Sequence, residues 1–206
     1  MNPGFSLTVL LCALAYLLGS VPFGFLAAKM AGLDITKQGS GNTGATNVLR
    51  TLGPKYAVPV LALDLAKGAV SAYAGLRLTG MGTLGALLVG AAAVAGHNWS
   101  VFLRFRGGKG VASSAGVILV AFPLLLLAAL GVFVLIVAVT RYVSLGSLLG
   151  AWTAVALSFT SGYDLTAQIP VTLLAAAITY QHRANIKRLL TGTELKITSG
   201  KGGTSR

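Results

Sequence analysis

The chain has 206 residues, is 55% hydrophobic and only 10% charged, and has a mean hydropathy of +0.81. Those values exclude a soluble globular domain and fit a helical protein with several membrane spans. Sixteen Lys and Arg against four Asp and Glu give a formal charge of +12. In so apolar a chain this points to positive cytoplasmic loops and an anionic lipid or substrate, and away from nucleic acid.

Six apolar runs follow in chain order: 4–28, 58–78, 83–103, 111–139, 143–159 and 167 to about 186. No basic segment precedes the first, so it reads as a retained helix and not as a cleaved signal peptide. Cys12, the single cysteine, lies inside it, which rules out an intrachain disulfide. The second run carries Asp64 and Lys67 on one helix face, spaced i, i+3. They read first as an ion pair that fixes helix packing, and alternatively as functional charges inside the bilayer. The fourth run is 29 residues long, roughly 43 Å as one helix. Pro123 stands within it and predicts a break. The fifth contains Gly146-Ser147-Leu148-Leu149-Gly150, a GxxxG-like packing face, with Ser144 and Ser147 as spare hydroxyls near a helix start.

Charge parity supports the break. Arg50 and Lys55 follow the first run, and Arg104, Arg106 and Lys109 follow the third. If residues 111–139 made one span, Arg141 and the basic tail would lie outside. A turn near Pro123 returns them to the cytoplasmic side. Of the 16 cations, only Lys67 in mid-span and Arg77 in an outer loop then fall elsewhere. The expected fold is therefore all-α: a polytopic membrane bundle of seven transmembrane segments, N-terminus out and C-terminus in. Residues 1–198 form one domain and 199–206 a disordered tail. The segment 111–122 spans roughly 18 Å, too short to cross about 30 Å of hydrocarbon. If it begins below the surface, its N-terminus faces a recess just after Gly107-Gly108-Lys109-Gly110.

Polar motifs punctuate these runs. Gly39-Ser40-Gly41-Asn42-Thr43-Gly44-Ala45-Thr46-Asn47-Val48-Leu49-Arg50 contains no acid and closes on arginine. Small polar side chains among glycines leave backbone N–H groups open, the composition of an anion cradle. The bland alternative is a solvated loop with a helix cap at Thr43 or Thr46. The stretch lacks the Lys-Ser/Thr of a P-loop. Gly107-Gly108-Lys109-Gly110 is either a second anion nest or a cationic anchor. His97 and His182 fall near cytoplasmic helix ends, and neither stands in a metal-binding pattern.

Three motifs in this order resemble the bacterial acyl-phosphate-dependent glycerol-3-phosphate acyltransferase family, the PlsY family. The first is the 39–50 stretch. The second is Gly96-His97-Asn98-Trp99-Ser100-Val101-Phe102 running into Phe105-Arg106-Gly107-Gly108-Lys109-Gly110-Val111. The third is His182-Arg183-Ala184-Asn185-Ile186-Lys187-Arg188-Leu189 with Gly192-Thr193-Glu194. The resemblance implies transfer of a fatty acyl group from acyl phosphate to glycerol 3-phosphate in the bacterial cytoplasmic membrane, giving lysophosphatidate, with no cofactor, metal, coenzyme A or acyl carrier protein. It implies a monomer as the working form. It casts Arg50, Lys109, His182 and Asn185 as catalytic, and Ser40, Gly41, Asn42, Thr46, Asn47, Gly107 and Gly108 as the acyl-phosphate cradle. Glycerol 3-phosphate falls to Arg50, Lys109, Ser147, His182 and Asn185, with His97 and Glu194 in support.

The donor is already activated, so positioning and charge neutralisation suffice without a covalent nucleophile. Either the donor phosphate or His182 accepts the proton of the attacking hydroxyl. A transporter of organic phosphate is the rival reading. It needs a midplane site, whereas these motifs all fall on one expected face.

Overall fold

The computed structural model describes residues 3–197, so the tail expected at 199–206 lies outside the described residues. Every regular element among them is helical. Helices α1 (Pro3–Ser20) and α2 (Phe23–Met30) divide the first apolar run at Val21-Pro22, where proline withholds an N–H. The polar 39–50 motif runs into a short helix, α3 (Ala45–Leu52). Next come α4 (Pro54–Leu78) and α5 (Thr83–Asn98).

The fourth run breaks where proline predicts: α6 (Val111–Ala121) stops at Phe122 and α7 (Pro123–Thr140) starts on Pro123. Proline needs no N–H partner at a helix start, and its fixed φ suits that position. A two-residue turn leads to α8 (Val143–Thr160), followed by α9 (Leu165–Gln181) and α10 (Arg183–Leu190). The last apolar run is thus not one helix to residue 186. It ends at Gln181, His182 forms the junction, and the polar α10 departs from it.

Among the described residues, five segments are long and apolar enough to cross a membrane: residues 4–30, α4, residues 83–103 that begin with α5, α7 and α8. Helix α6, with 11 residues, reaches only about 16 Å. Burial ranks the segments by partner. Half of the α5 span is buried, so α5 is the axis of the bundle, flanked by α1, α4 and α6. Only 6% of α7 is buried, so lipid is its main partner, and it packs chiefly on α8.

Lipid is as apolar as leucine, so helices associate in it through close approach of small residues. A Cβ on Gly68 would run into the Ser113 carbonyl, and one on Gly116 into the Leu65 carbonyl. These two glycines let α4 and α6 touch backbone to backbone. The cytoplasm-expected ends are tied by polar contacts. Tyr16 Oη donates to the Trp99 carbonyl at 2.8 Å, and Ser100 Oγ to the Ser20 carbonyl at 2.6 Å. A satellite core of Ala28, Ile35, Val48, Ala57 and Val60 seats α2 and α3 on α4 at this same end.

Candidate active site

The polar ends of α3, α6, α8, α9 and α10 converge on one cavity of about 340 Å³, within the size range of small-molecule sites. Ser40, Asn42, Thr46, Arg50, Lys109 and His182 line its mouth, together with Ser147, Asn185 and Glu194. Asn47 and His97 also reach it. Below these groups the wall turns apolar.

The first motif is held in shape by its own amides. The Asn47 side chain is buried; its Nδ2 donates to the Gln38 and Asn42 carbonyls, both at 2.9 Å, and its Oδ1 accepts from Ser40 N at 2.9 Å. Asn47 therefore has little left for a ligand and works as the clasp of the loop. Asn42 Oδ1 accepts from Gly44 N at 2.9 Å, and its Nδ2 donates to the Gly107 carbonyl at 3.3 Å. That bond joins the first motif to the second. Helix α3 starts after Gly44 with no side-chain cap, so neither Thr43 nor Thr46 caps it. Ala45 and Thr46 present its first turn to the cavity.

The second motif departs from the expected nest. Gly108 N–H donates to the His97 carbonyl at 3.0 Å, so that donor is spent. A Cβ at Gly108 would enter the His97 ring, and one at Gly107 would strike the His97 carbonyl. Neither glycine lines the cavity, nor does Gly41. Gly107 and Gly108 let the loop close over His97 and so carry Lys109 to the cavity. Gly110, with φ +79°, begins α6, whose first residues Val111 and Ala112 face the cavity beside Lys109. Two helix N-termini thus meet two cations, and both the dipole ends and the free N–H groups favour an anion.

Behind this loop lies a buried charge cluster. Lys67 Nζ stands 2.8 Å from Asp64 Oδ1 and donates to the Val21 carbonyl at 3.1 Å. His97 Nδ1 lies 3.3 Å from the same Asp64 oxygen. The pair does fix helix packing, and it also props the histidine against which the Lys109 loop is folded. Sequence reasoning paired Asp64 with Lys67 but could not add His97, since the α4–α5 register is invisible in spacing.

The third motif is a hydrogen-bonded fork. Glu194 Oε1 accepts from Asn185 Nδ2 at 2.7 Å and Ser144 Oγ at 3.0 Å, and Oε2 pairs with Arg188 Nε at 2.8 Å. Burial pushes its pKa up, but these donors outweigh it and hold the carboxyl below its usual range. Arg188 and Ser144 had no assigned place in the site; Arg188 stood within the motif and Ser144 only as a spare hydroxyl. Arg50 Nη2 donates to the Leu195 carbonyl at 2.8 Å, while its Nε is buried with no protein partner. Arg50 therefore ties α3 to the 193–197 strap and keeps an edge of its fork free.

Electrostatics set the protonation states. Burial, then the nearby Arg188 and Arg50 charges, lowers the Lys109 pKa to about 8, against partial support from Glu194. Burial, then the Lys109 charge, lowers His182 to about 4, so its ring is neutral near pH 7. His182 Nδ1 lies 2.8 Å from the Ile178 carbonyl. A neutral ring donates there, which leaves Nε2 as a hydrogen-bond acceptor for a ligand.

Comparison with known proteins agrees with this picture. The family model described as glycerol-3-phosphate acyltransferase matches residues 9–192. A glycerol-3-phosphate acyltransferase of Thermoanaerobacter sp. (strain X514) is 48% identical over 190 residues, 92% of this chain and 95% of the relative. One of Geobacillus kaustophilus (strain HTA426) is 46% identical over 192 residues, 93% of this chain and 96% of the relative. The crystal structure of PlsY, an integral membrane glycerol 3-phosphate acyltransferase, is similar in its glycerol 3-phosphate form: TM-score 0.88, 40% identity, 93% of this chain and 96% of that one. Its lysophosphatidic acid form gives TM-score 0.85 at 40% identity, covering 93% and 95%.

Proposed function

The chain belongs to the glycerol-3-phosphate acyltransferase family, and from that premise we propose that it moves a fatty acyl group from acyl phosphate directly to glycerol 3-phosphate. The observation that carries the reading is the two-part cavity: a cationic mouth with two helix N-termini, continuous with an apolar shaft. A donor with a phosphate head and an alkyl tail has that division of polarity. The similar PlsY structures were solved in glycerol 3-phosphate and lysophosphatidic acid forms, which accords with acceptor and product at such a site.

In this reading the donor phosphate lies against Ser40, Thr46 and the first turn of α3, with Arg50 as a fork and Lys109 as a point charge. Gly41, Asn42, Asn47, Gly107 and Gly108 serve by shaping the two loops. Ser147, His182 and Asn185 orient glycerol 3-phosphate, and Glu194 fixes Asn185. The acceptor hydroxyl oxygen attacks the acyl carbonyl carbon. A new ester C–O bond forms, the acyl–phosphate C–O bond breaks, and phosphate leaves. His182 accepts a hydrogen bond from glycerol 3-phosphate through Nε2 and so orients it, while the proton of the attacking hydroxyl points to the donor phosphate. With a pKa of about 4 the His182 ring is a weak base at neutral pH. A phosphate with a second pKa of about 6 is the better proton acceptor, so the donor's own phosphate takes the proton.

The mouth faces the cytoplasm of the bacterial inner membrane, since the described loop cations gather at that end and Arg77 at the other. A transporter is the weaker reading, because the cavity's cations Arg50 and Lys109 stand at one end of the bundle, while the mid-span charges Asp64 and Lys67 are spent on each other and on His97. The test is purified protein in detergent given glycerol 3-phosphate with acyl phosphate, acyl-coenzyme A or acyl carrier protein. Lysophosphatidate from acyl phosphate alone supports the proposal; product only from a thioester contradicts the donor, and no product from folded protein favours transport.

A further inference from the structure

The apolar shaft ends on a definite floor. Along α9 the cavity wall runs from His182 to Val171, 11 residues lower, which is about 16–17 Å of helix. Along α6 it runs from Val111 to Ile118, and along α8 from Val143 to Ala154. All three walls stop near the level where α6 gives way to α7. Ile118 lies one turn before that hairpin and Leu126 one turn after it, and both line the last part of the cavity.

Beneath them the hairpin is packed solid. Phe122 and Leu125 are 8% and 3% exposed and belong to the main apolar core with Val171 and Leu174. The Phe122 ring stands edge-on to Tyr163 at 5.1 Å, with an interplanar angle of 77°, a favoured aromatic geometry. Tyr163 lies between α8 and α9, so this contact bolts the hairpin to the helices that form the opposite wall. The break at Pro123 thus does two things. It shortens α6 so that its N-terminus meets the anion, and it closes the far end of the shaft.

We propose that the α6–α7 hairpin, bolted by Phe122 on Tyr163, is a ruler that sets the longest acyl chain the enzyme accepts, with Ala154 and Val171 as the size-determining side chains above it. The proposal rests on the donor reading above. A tail that fits gains contact with every added methylene. A tail that is too long must displace a close-packed aromatic pair or leave its head out of register with Arg50 and Lys109. Ala154 is the informative position, because it is the lowest α8 residue on the cavity wall and stands beside the packed floor, so a larger apolar group there shortens the shaft.

The experiment is internal competition. Acyl phosphates of graded chain length are mixed with glycerol 3-phosphate and detergent-purified enzyme, and the lysophosphatidates formed are weighed against one another by mass spectrometry. Product ratios are independent of how much of a variant is folded. In the unaltered protein each methylene should raise the ratio about 4-fold up to a break. Ala154→Leu should move the break to shorter chains and Val171→Ala to longer ones. A displacement of two methylenes changes the ratio of donors two methylenes apart about 16-fold. The same break in all three proteins overturns the ruler alone, and sends the tail sideways past Leu61 and Leu130, which are about half exposed at the cavity's flank. Product from no acyl phosphate of any length overturns the donor reading and the ruler together.

Discussion

Replacing Arg50 by lysine tests whether one side chain holds a phosphate and the C-terminal strap at once. Arg50 Nη2 is committed to the Leu195 carbonyl at 2.8 Å, and Nε is buried with no protein partner. A guanidinium can serve both directions because its donors are fixed in a planar fork. An ammonium on a flexible stem reaches one or the other. If it stays with Leu195, the phosphate loses a charge-assisted hydrogen bond of about 1.5–3 kcal/mol, which is about 10- to 150-fold in kcat/KM. If it turns to the phosphate, the strap carrying Glu194 loses its tie to α3, and Asn185 loses a fixed partner. Both routes lower kcat/KM, and the second also makes the 193–197 strap easier to cleave by protease. The assay is steady-state kinetics with acyl phosphate and glycerol 3-phosphate, alongside thermal unfolding in detergent. A folded Arg50→Lys protein with unaltered kcat/KM would refute the two-way role.

Burial and neighbouring cations put Lys109 at about pKa 8 and His182 at about 4. Free Lys109 loses its proton as pH rises through 8, so kcat/KM should fall above that pH while His182 contributes no step between pH 6 and 9; a flat profile to pH 10 would contradict this. A bound dianion stabilises the charged form, so kcat should hold to higher pH than kcat/KM. Asp64→Asn strands Lys67 in the bundle and should cost about 3–5 kcal/mol of stability. Adding Lys67→Met should recover much of that in thermal unfolding, and no recovery would mean the two are not a coupled pair. Single cysteines near Thr43, Arg141 and Thr193, at exposed positions, on a Cys12→Ala background should resist an impermeant thiol reagent in intact cells; labelling at any of them would overturn the orientation.

Much of this architecture is legible in sequence because it rests on local physics. Pro123 breaks a run too long for one span, and charge parity demands a turn at the same place. Motif glycines and cations mark the stretches that the fold brings together, and Ser40, Arg50 and Lys109 from two of them line one cavity. What escaped the sequence is relational. Gly107 and Gly108 have the composition of a nest, yet the space beside them belongs to His97, and only the fold shows that Gly108 N–H is already spent. Asn47 looks like a ligand and proves to be a clasp, because its amide meets carbonyls from residues 38 and 42. The junction at His182 is hidden because apolar residues continue past it to Ile186 while the helix does not. Arg188 joins the site only through the fold-back that brings Glu194 to it.

The central claim is direct transfer from one bound substrate to the other, and it is tested most directly with an acyl phosphate labelled in its acyl carbon. Mixed with purified protein alone, the donor should leave no covalent label on the chain; with glycerol 3-phosphate added, label should pass to lysophosphatidate at the rate of steady turnover. An acyl adduct on the protein, chased into product by glycerol 3-phosphate, would contradict the account and make Ser40, one of the hydroxyls at the cavity mouth, the first nucleophile to examine.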